Sequence, residues 1–126
     1  MSRGIGTWDE VFGGASAEVL AIALSVRAMI LRLHPAAVEV ARLGDRAVSF
    51  GHGPAKMKQS YAYLLPQPRW LNLGFCRGAV LEDQATRLEG SGKALRHVKL
   101  RGPGDLSPDL AALLGAAIAD QARRGG

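Results

Sequence analysis

Residues Gln59–Cys76 read QSYAYLLPQPRWLNLGFC. Two apolar runs flank a centre punctuated by Pro66 and Pro68. In an extended Gln59–Leu65, Tyr61, Tyr63 and Leu65 fall on one face, and Ser60, Ala62 and Leu64 on the other. In Trp70–Cys76, Leu71, Leu73 and Phe75 share a face opposite Asn72, Gly74 and Cys76. Period-two patterning joined by so short a turn predicts two antiparallel strands, and with them an antiparallel sheet.

The flanking sequence extends that sheet in both directions. Upstream, Val38–Leu43 and Arg46–Phe50 enclose Gly44-Asp45, a pairing that predicts a hairpin closed by a two-residue type II′ turn. Downstream, His97–Arg101 reads as a fifth strand with Val98 and Leu100 facing inward. Helices bracket the strands. Thr7 and Glu10 have the spacing of a capping box, which predicts a short helix stopped at Gly13-Gly14. Ser16 caps a second helix running to about Leu33, where His34-Pro35 ends it. Its polar stripe, Glu18, Ser25 and Arg32, is narrow, so the helix is expected to be largely buried. Ser107-Pro108 opens a last helix, with Leu110, Leu113, Leu114, Ala117 and Ile118 as its apolar stripe. The expected class is α+β: a sheet of about five antiparallel strands packed by N-terminal and C-terminal helices.

The chain has 126 residues, 48% of them hydrophobic, enough for a core in one domain. Twelve arginines and four lysines against eleven acids give a net charge of +5, which favours an anionic partner: a small ligand, an acidic protein or nucleic acid. A single cysteine, Cys76, excludes an internal disulfide and suits a reducing compartment. The N-terminal MSRGIGTWDEVFGG lacks a basic-then-apolar leader pattern, and Val19–Leu33 is too short and too polar to span a bilayer. A cytoplasmic protein is expected, without a membrane partner.

No complete catalytic set can be assembled from spacing, so no catalytic residue is assigned and a binding role is favoured over an enzymatic one. Gly90-Ser91-Gly92-Lys93 invites comparison with a phosphate loop, but Arg87 stands where that motif needs glycine and Ala94 where it needs a hydroxyl. The turn does lead into a basic strand, on which His97, Lys99 and Arg101 share a face. Lys93 and Arg96 precede it, and Arg77 approaches from the neighbouring strand. The expected ligand site is therefore Asn72, Arg77, Lys93, Arg96, His97 and Lys99, a basic and partly aromatic pocket for a small anion. His34 is read as a helix-end residue, His52 between two glycines as an exposed loop histidine, and Cys76 as a small strand residue.

From Gln59 onward the chain also resembles a known family. Ser60-Tyr61, Asn72-Leu73-Gly74-Phe75, Arg77-Gly78-Ala79, Leu81, Leu88-Glu89-Gly90-Ser91-Gly92-Lys93 and Arg96-His97-Val98-Lys99-Leu100 are similar to the YdhG-like family, domain of unknown function 1801. The earlier hairpin and second helix fit the family's order. The resemblance implies one YdhG-like domain over residues 1–126, with residues 1–15 as an extension, and a curved antiparallel sheet packed by helices. It implies no established reaction, and no cofactor is expected. One branch looks like a frataxin-type intracellular iron chaperone, which gives a second expectation: iron held by Glu82, Asp83 and Glu89. This chain departs from that role in having few, scattered acids, with only Glu82-Asp83 adjacent among those three. A third expectation is a nucleic-acid-binding accessory protein using the basic strand face.

Overall fold

The computed structural model describes residues 5–55, 58–82 and 87–124. Five full strands form an open antiparallel sheet in sequence order: β2 (Val38–Arg42), β3 (Ala47–Gly51), β4 (Ser60–Pro66), β5 (Leu71–Phe75) and β6 (Arg96–Leu100). A two-residue strand, β1 (Ile5–Gly6), adds to the β2 edge. Among the described residues three α-helices complete the fold: α1 (Trp8–Phe12), α2 (Ala17–Leu33) and α3 (Pro108–Arg123). The class is α+β, as expected from the sequence.

The helix starts follow local chemistry. Thr7 and Glu10 form a reciprocal capping box, and Ser16 Oγ accepts the Val19 N–H at 3.1 Å. Ser107 precedes Pro108 as expected but caps differently. Its hydroxyl accepts from Arg87 Nη1 and donates to Asp109, and makes no bond to a helical N–H. Arg87 also reaches Asp109 Oδ2 at 2.7 Å and the Asp105 carbonyl at 2.9 Å, so a residue from the β5–β6 connection ties down the start of α3.

One face of the sheet is closed by α2 and α3. Val48, Phe50, Leu64, Leu71, Leu73, Phe75, Val98 and Leu100 point into this core and meet Val19, Val26, Ile30, Leu110 and Leu114. Helix α2 is less enclosed than its sequence predicts. It buries Val19, Ile22, Ala23, Val26 and Ile30 but leaves Ala17, Ala21, Leu24 and Ala28 exposed, Leu24 at 47%. The sheet covers only one side of the helix, and alanine tolerates the other at little cost in helix propensity.

Two departures from simple alternation shape the rest. The β2–β3 loop has four residues, Leu43–Arg46, instead of the two-residue turn expected. Arg42 pairs with Ala47, the Arg46 N–H bonds the Leu43 carbonyl, and Arg46 takes the left-handed φ of 54°. The register is that of a two-residue turn, but Arg46 in the left-handed region is no longer extended, so Leu43 and Arg46 drop out of the ladder. The second departure is in β4. Ser49, Phe50 and Gly51 pair with Tyr63, Ala62 and Ser60, so Tyr61 is an extra residue, a β-bulge. Alternation puts Tyr61 with Tyr63 and Leu65. The bulge instead turns Tyr61 into the core cluster and leaves Ser60 with Tyr63 on the wall of an outer-face cavity.

Gly51 is required at this crossing, because a Cβ there would lie 1.8 Å from the Gln59 carbonyl oxygen. Gly115, within α3, has nothing within 4 Å of its Cβ position. Gly51→Ala is therefore expected to destabilise the fold by roughly 2–3 kcal/mol. Gly115→Ala should stabilise it by about 0.5–1 kcal/mol through helix propensity. Urea midpoints of the two variants check both signs.

Candidate functional site

The six residues expected to bind an anion do not converge. Asn72, His97 and Lys99 do share the helix-free face, since Asn72 pairs with Lys99 and Gly74 with His97. Their polar groups are largely engaged there. Asn72 Oδ1 accepts from Trp70 Nε1 at 2.8 Å, and Lys99 Nζ lies 5.3 Å from the Trp70 ring centre and 3.8 Å from Glu89 Oε1. Glu89 also bridges to His97 through the backbone, covering the β6 edge. Arg96 folds over Gly78 and donates to the carbonyls of Gly92 and Leu95. Lys93 is exposed at the turn. Arg77 leaves the group altogether. Its guanidinium crosses to α3 and bonds Asp120 Oδ2 at 2.9 Å, and this pair holds the Asp120 carboxyl below the usual carboxylate range.

The helix-free face carries a different site. Cross-strand pairing sets Ser49 beside Tyr63 and Tyr63 beside Gly74, and sets Arg42 beside Ala47. Ala47, Ser49 and Gly74 are small, so the middle of the face is depressed. A Cβ on Gly74 would lie 1.9 Å from Tyr63 Cζ, which shows the Tyr63 ring lying flat across that glycine. Beside it is a cavity of about 250 Å³ lined by Arg42, Asp45, Ala47, Ser49, Ser60, Tyr63, Leu65, Cys76 and Leu95. Its walls are mainly apolar. Burial raises the Tyr63 hydroxyl above the usual phenol range, with the Cys76 thiol adding to the shift, so the phenol remains a neutral donor at physiological pH. Cys76 is 3% exposed and donates its S–H to Ser60 Oγ at 3.6 Å.

Arg42 is the charged group of this cavity. Nε donates to Ser49 Oγ at 3.1 Å and Nη2 to the Pro54 carbonyl at 2.7 Å. Both acceptors are neutral, and among the described residues no carboxylate pairs with Arg42. Asp45, on the same rim, is itself partnered. The sequence pattern singled out neither Arg42 nor the small residues Ala47 and Ser49. Their alternation on β2 and β3 places them outward, and an arginine facing a row of small side chains is the signal that would have found the cavity.

A second polar group surrounds Tyr61, where the bulge, the end of α2 and the end of α3 meet. His34, the C-cap of α2, places Nδ1 2.8 Å from the Tyr61 hydroxyl. Gln121, 2% exposed on α3, accepts at Oε1 from the His52 backbone N–H at 3.1 Å. That donor fixes the amide orientation, so the 2.8 Å contact from His52 Nδ1 to the same oxygen is an N–H donation and neutral His52 keeps its lone pair on Nε2. The His34 and His52 ring centres are 4.5 Å apart. A recess of about 10 Å³ adjoins this group, lined by residues that include Ser60, Arg77, Asp120 and Gln121. Gln121 Nε2 is buried with no hydrogen-bond partner among the described residues. His34 does stand at a helix end and His52 in a loop, and the fold makes them neighbours beside Tyr61.

Of the carboxylates expected to hold iron, Glu82 is exposed, Glu89 faces Lys99, and Asp83 lies outside the described residues. Among the described residues no three His, Cys, Asp or Glu side chains gather as a metal site, and no helix is long and apolar enough to cross a membrane. No protein-family model matches this chain, and no curated protein or solved structure matches it.

Burial, and then the neighbouring His52, lower the His34 pKa below its ordinary value of 6.5. The unfolded chain therefore takes up a proton at a higher pH than the native one. The resulting stability is complete above about pH 6.5 and is lost as pH falls towards the native value. Around the ring stand His52, Tyr61 and Gln121; Asp109 and Asp120 titrate below the usual carboxylate range, outside this window. The urea midpoint is expected to fall between about pH 7.5 and about pH 5.5, and to fall less in His34→Asn. An equal fall in both proteins would assign the effect elsewhere.

Proposed function

We propose that this chain is a binding protein for a small amphiphilic anion, a short apolar body ending in a carboxylate or similar group, seated in the cavity on the helix-free face. The observation that carries this reading is Arg42: a guanidinium oriented by two neutral oxygens, with no carboxylate partner among the described residues, on the wall of an apolar cavity of about 250 Å³. A cation beside apolar surface is costly unless something compensates it, and an anionic head group would do so through charge-assisted hydrogen bonds. The apolar walls supply the remaining affinity by burying hydrocarbon. Tyr63 can orient the head group by donation.

The reading keeps the ligand class expected from the basic composition and places it at Arg42 and Tyr63, on the opposite side of the Tyr63 ring from His97 and Lys99. A YdhG-like binding domain located in the cytoplasm is compatible with it and forms part of the same proposal.

Amide shifts followed during titration with carboxylates from butyrate to octanoate test the site. Perturbations are expected at Tyr63, Gly74 and Cys76. Arg42→Gln should weaken carboxylate binding by about 10–100-fold, the worth of a charge-assisted hydrogen bond, and leave the matching alcohols unaffected. Ala47→Leu, which fills the cavity floor, should abolish both. Carboxylate affinity unchanged in Arg42→Gln would overturn the proposal.

A further inference from the structure

The geometry points to a second site, independent of the cavity: His34 and His52 form a two-nitrogen site for a late first-row divalent metal ion, Cu²⁺ in preference to Ni²⁺ or Zn²⁺. Each ring is anchored through Nδ1, His34 on the Tyr61 hydroxyl and His52 on Gln121 Oε1, both at 2.8 Å. Metal-binding histidines are characteristically held in this way, the second nitrogen bonded to an oxygen that fixes ring orientation and leaves the first as the ligand. Neither Nε2 has a hydrogen-bond partner among the described residues. Both rings are half-buried, so ions in solvent reach them while their orientations stay restricted.

The spacing admits two imidazoles on one ion. Imidazole nitrogens bound at about 2 Å place ring centres about 3.2 Å from the metal, so two rings at a right angle stand about 4.5 Å apart and two at the tetrahedral angle about 5.2 Å. The observed separation is 4.5 Å, with the rings tilted 39° to each other. Among late first-row divalent ions the general affinity order puts Cu²⁺ first. Solvent fills the remaining positions, since no third histidine, cysteine or carboxylate joins the pair among the described residues.

The supporting frame is built for rigidity. Gly51 and Gly53 enclose His52, and a Cβ on either would strike Gln59. The His52 N–H is shared between the Gln59 carbonyl at 2.9 Å and Gln121 Oε1 at 3.1 Å. His34 is set by the end of α2, its N–H bonded to the Ile30 carbonyl at 2.7 Å.

The test uses the full chain, stripped of metal with a chelator and titrated with Cu²⁺ under electron paramagnetic resonance. One ion per chain with hyperfine coupling to two nitrogens is expected. His52→Ala should lose at least about tenfold in affinity, and Gln121→Ala, which removes the support of His52, roughly 10–100-fold. His97→Ala, at the third histidine, should bind like the native protein. If His34→Ala does not fold, as judged by circular dichroism, the His52 and Gln121 variants decide. No stoichiometric complex, affinity retained in His52→Ala, or equal loss in His97→Ala would overturn the inference.

Discussion

The single extra residue at Tyr61 governs the arrangement of both sites. Without it, strict alternation would send the Tyr61 ring to the helix-free face, into the space beside Tyr63. With it, the ring enters the core at 3% exposure and its hydroxyl reaches His34. The same shift of phase leaves Ser60 facing the cavity and the thiol of Cys76. Gly51 permits the crossing, since any side chain there would meet the Gln59 backbone. A bulge thus separates one polar cluster, within the fold, from one cavity, outside it.

The two faces of the sheet differ for a simple reason. Helices α2 and α3 cover one face with aliphatic side chains, so its residues are large and sealed. No described helix covers the other face, and where Ala47 and Ser49 fall together it becomes concave. At its β6 end Lys99 lies against Glu89 and the Trp70 ring, while Arg96 donates to carbonyl oxygens. Arg42, at the opposite end, likewise donates to neutral oxygens among the described residues, and differs in lining the apolar cavity. Net charge alone does not distinguish these situations, because it counts arginines without their partners.

What could be read from the sequence follows the range of the interactions. Thr7 with Glu10, Ser16 before α2 and Pro108 at the start of α3 act within a few residues, and each marks the helix boundary it predicts. The alternation of Leu71, Leu73 and Phe75 against Asn72 and Gly74 is also local, and the strand obeys it. The rest depends on pairs far apart in the chain. Arg77 lies 43 residues from Asp120 and His52 lies 69 from Gln121. Nothing near Arg77 indicates that it will turn towards α3 instead of joining Lys93. The bulge is likewise a property of two strands together: β4 alone reads as regular, and only its register with β3 exposes the additional residue.

Arg87 has a companion in Arg77. Both belong to the connection between β5 and β6, and they grip α3 at opposite ends, Arg87 at Asp109 and Arg77 at Asp120. The helix is thereby laced to the sheet by salt links at head and foot as well as by its leucines. It cannot peel away from either terminus without first breaking one of them, so fraying is suppressed and α3 should open together with β5 and β6 as one cooperative unit, its amides sharing a common exchange free energy with theirs.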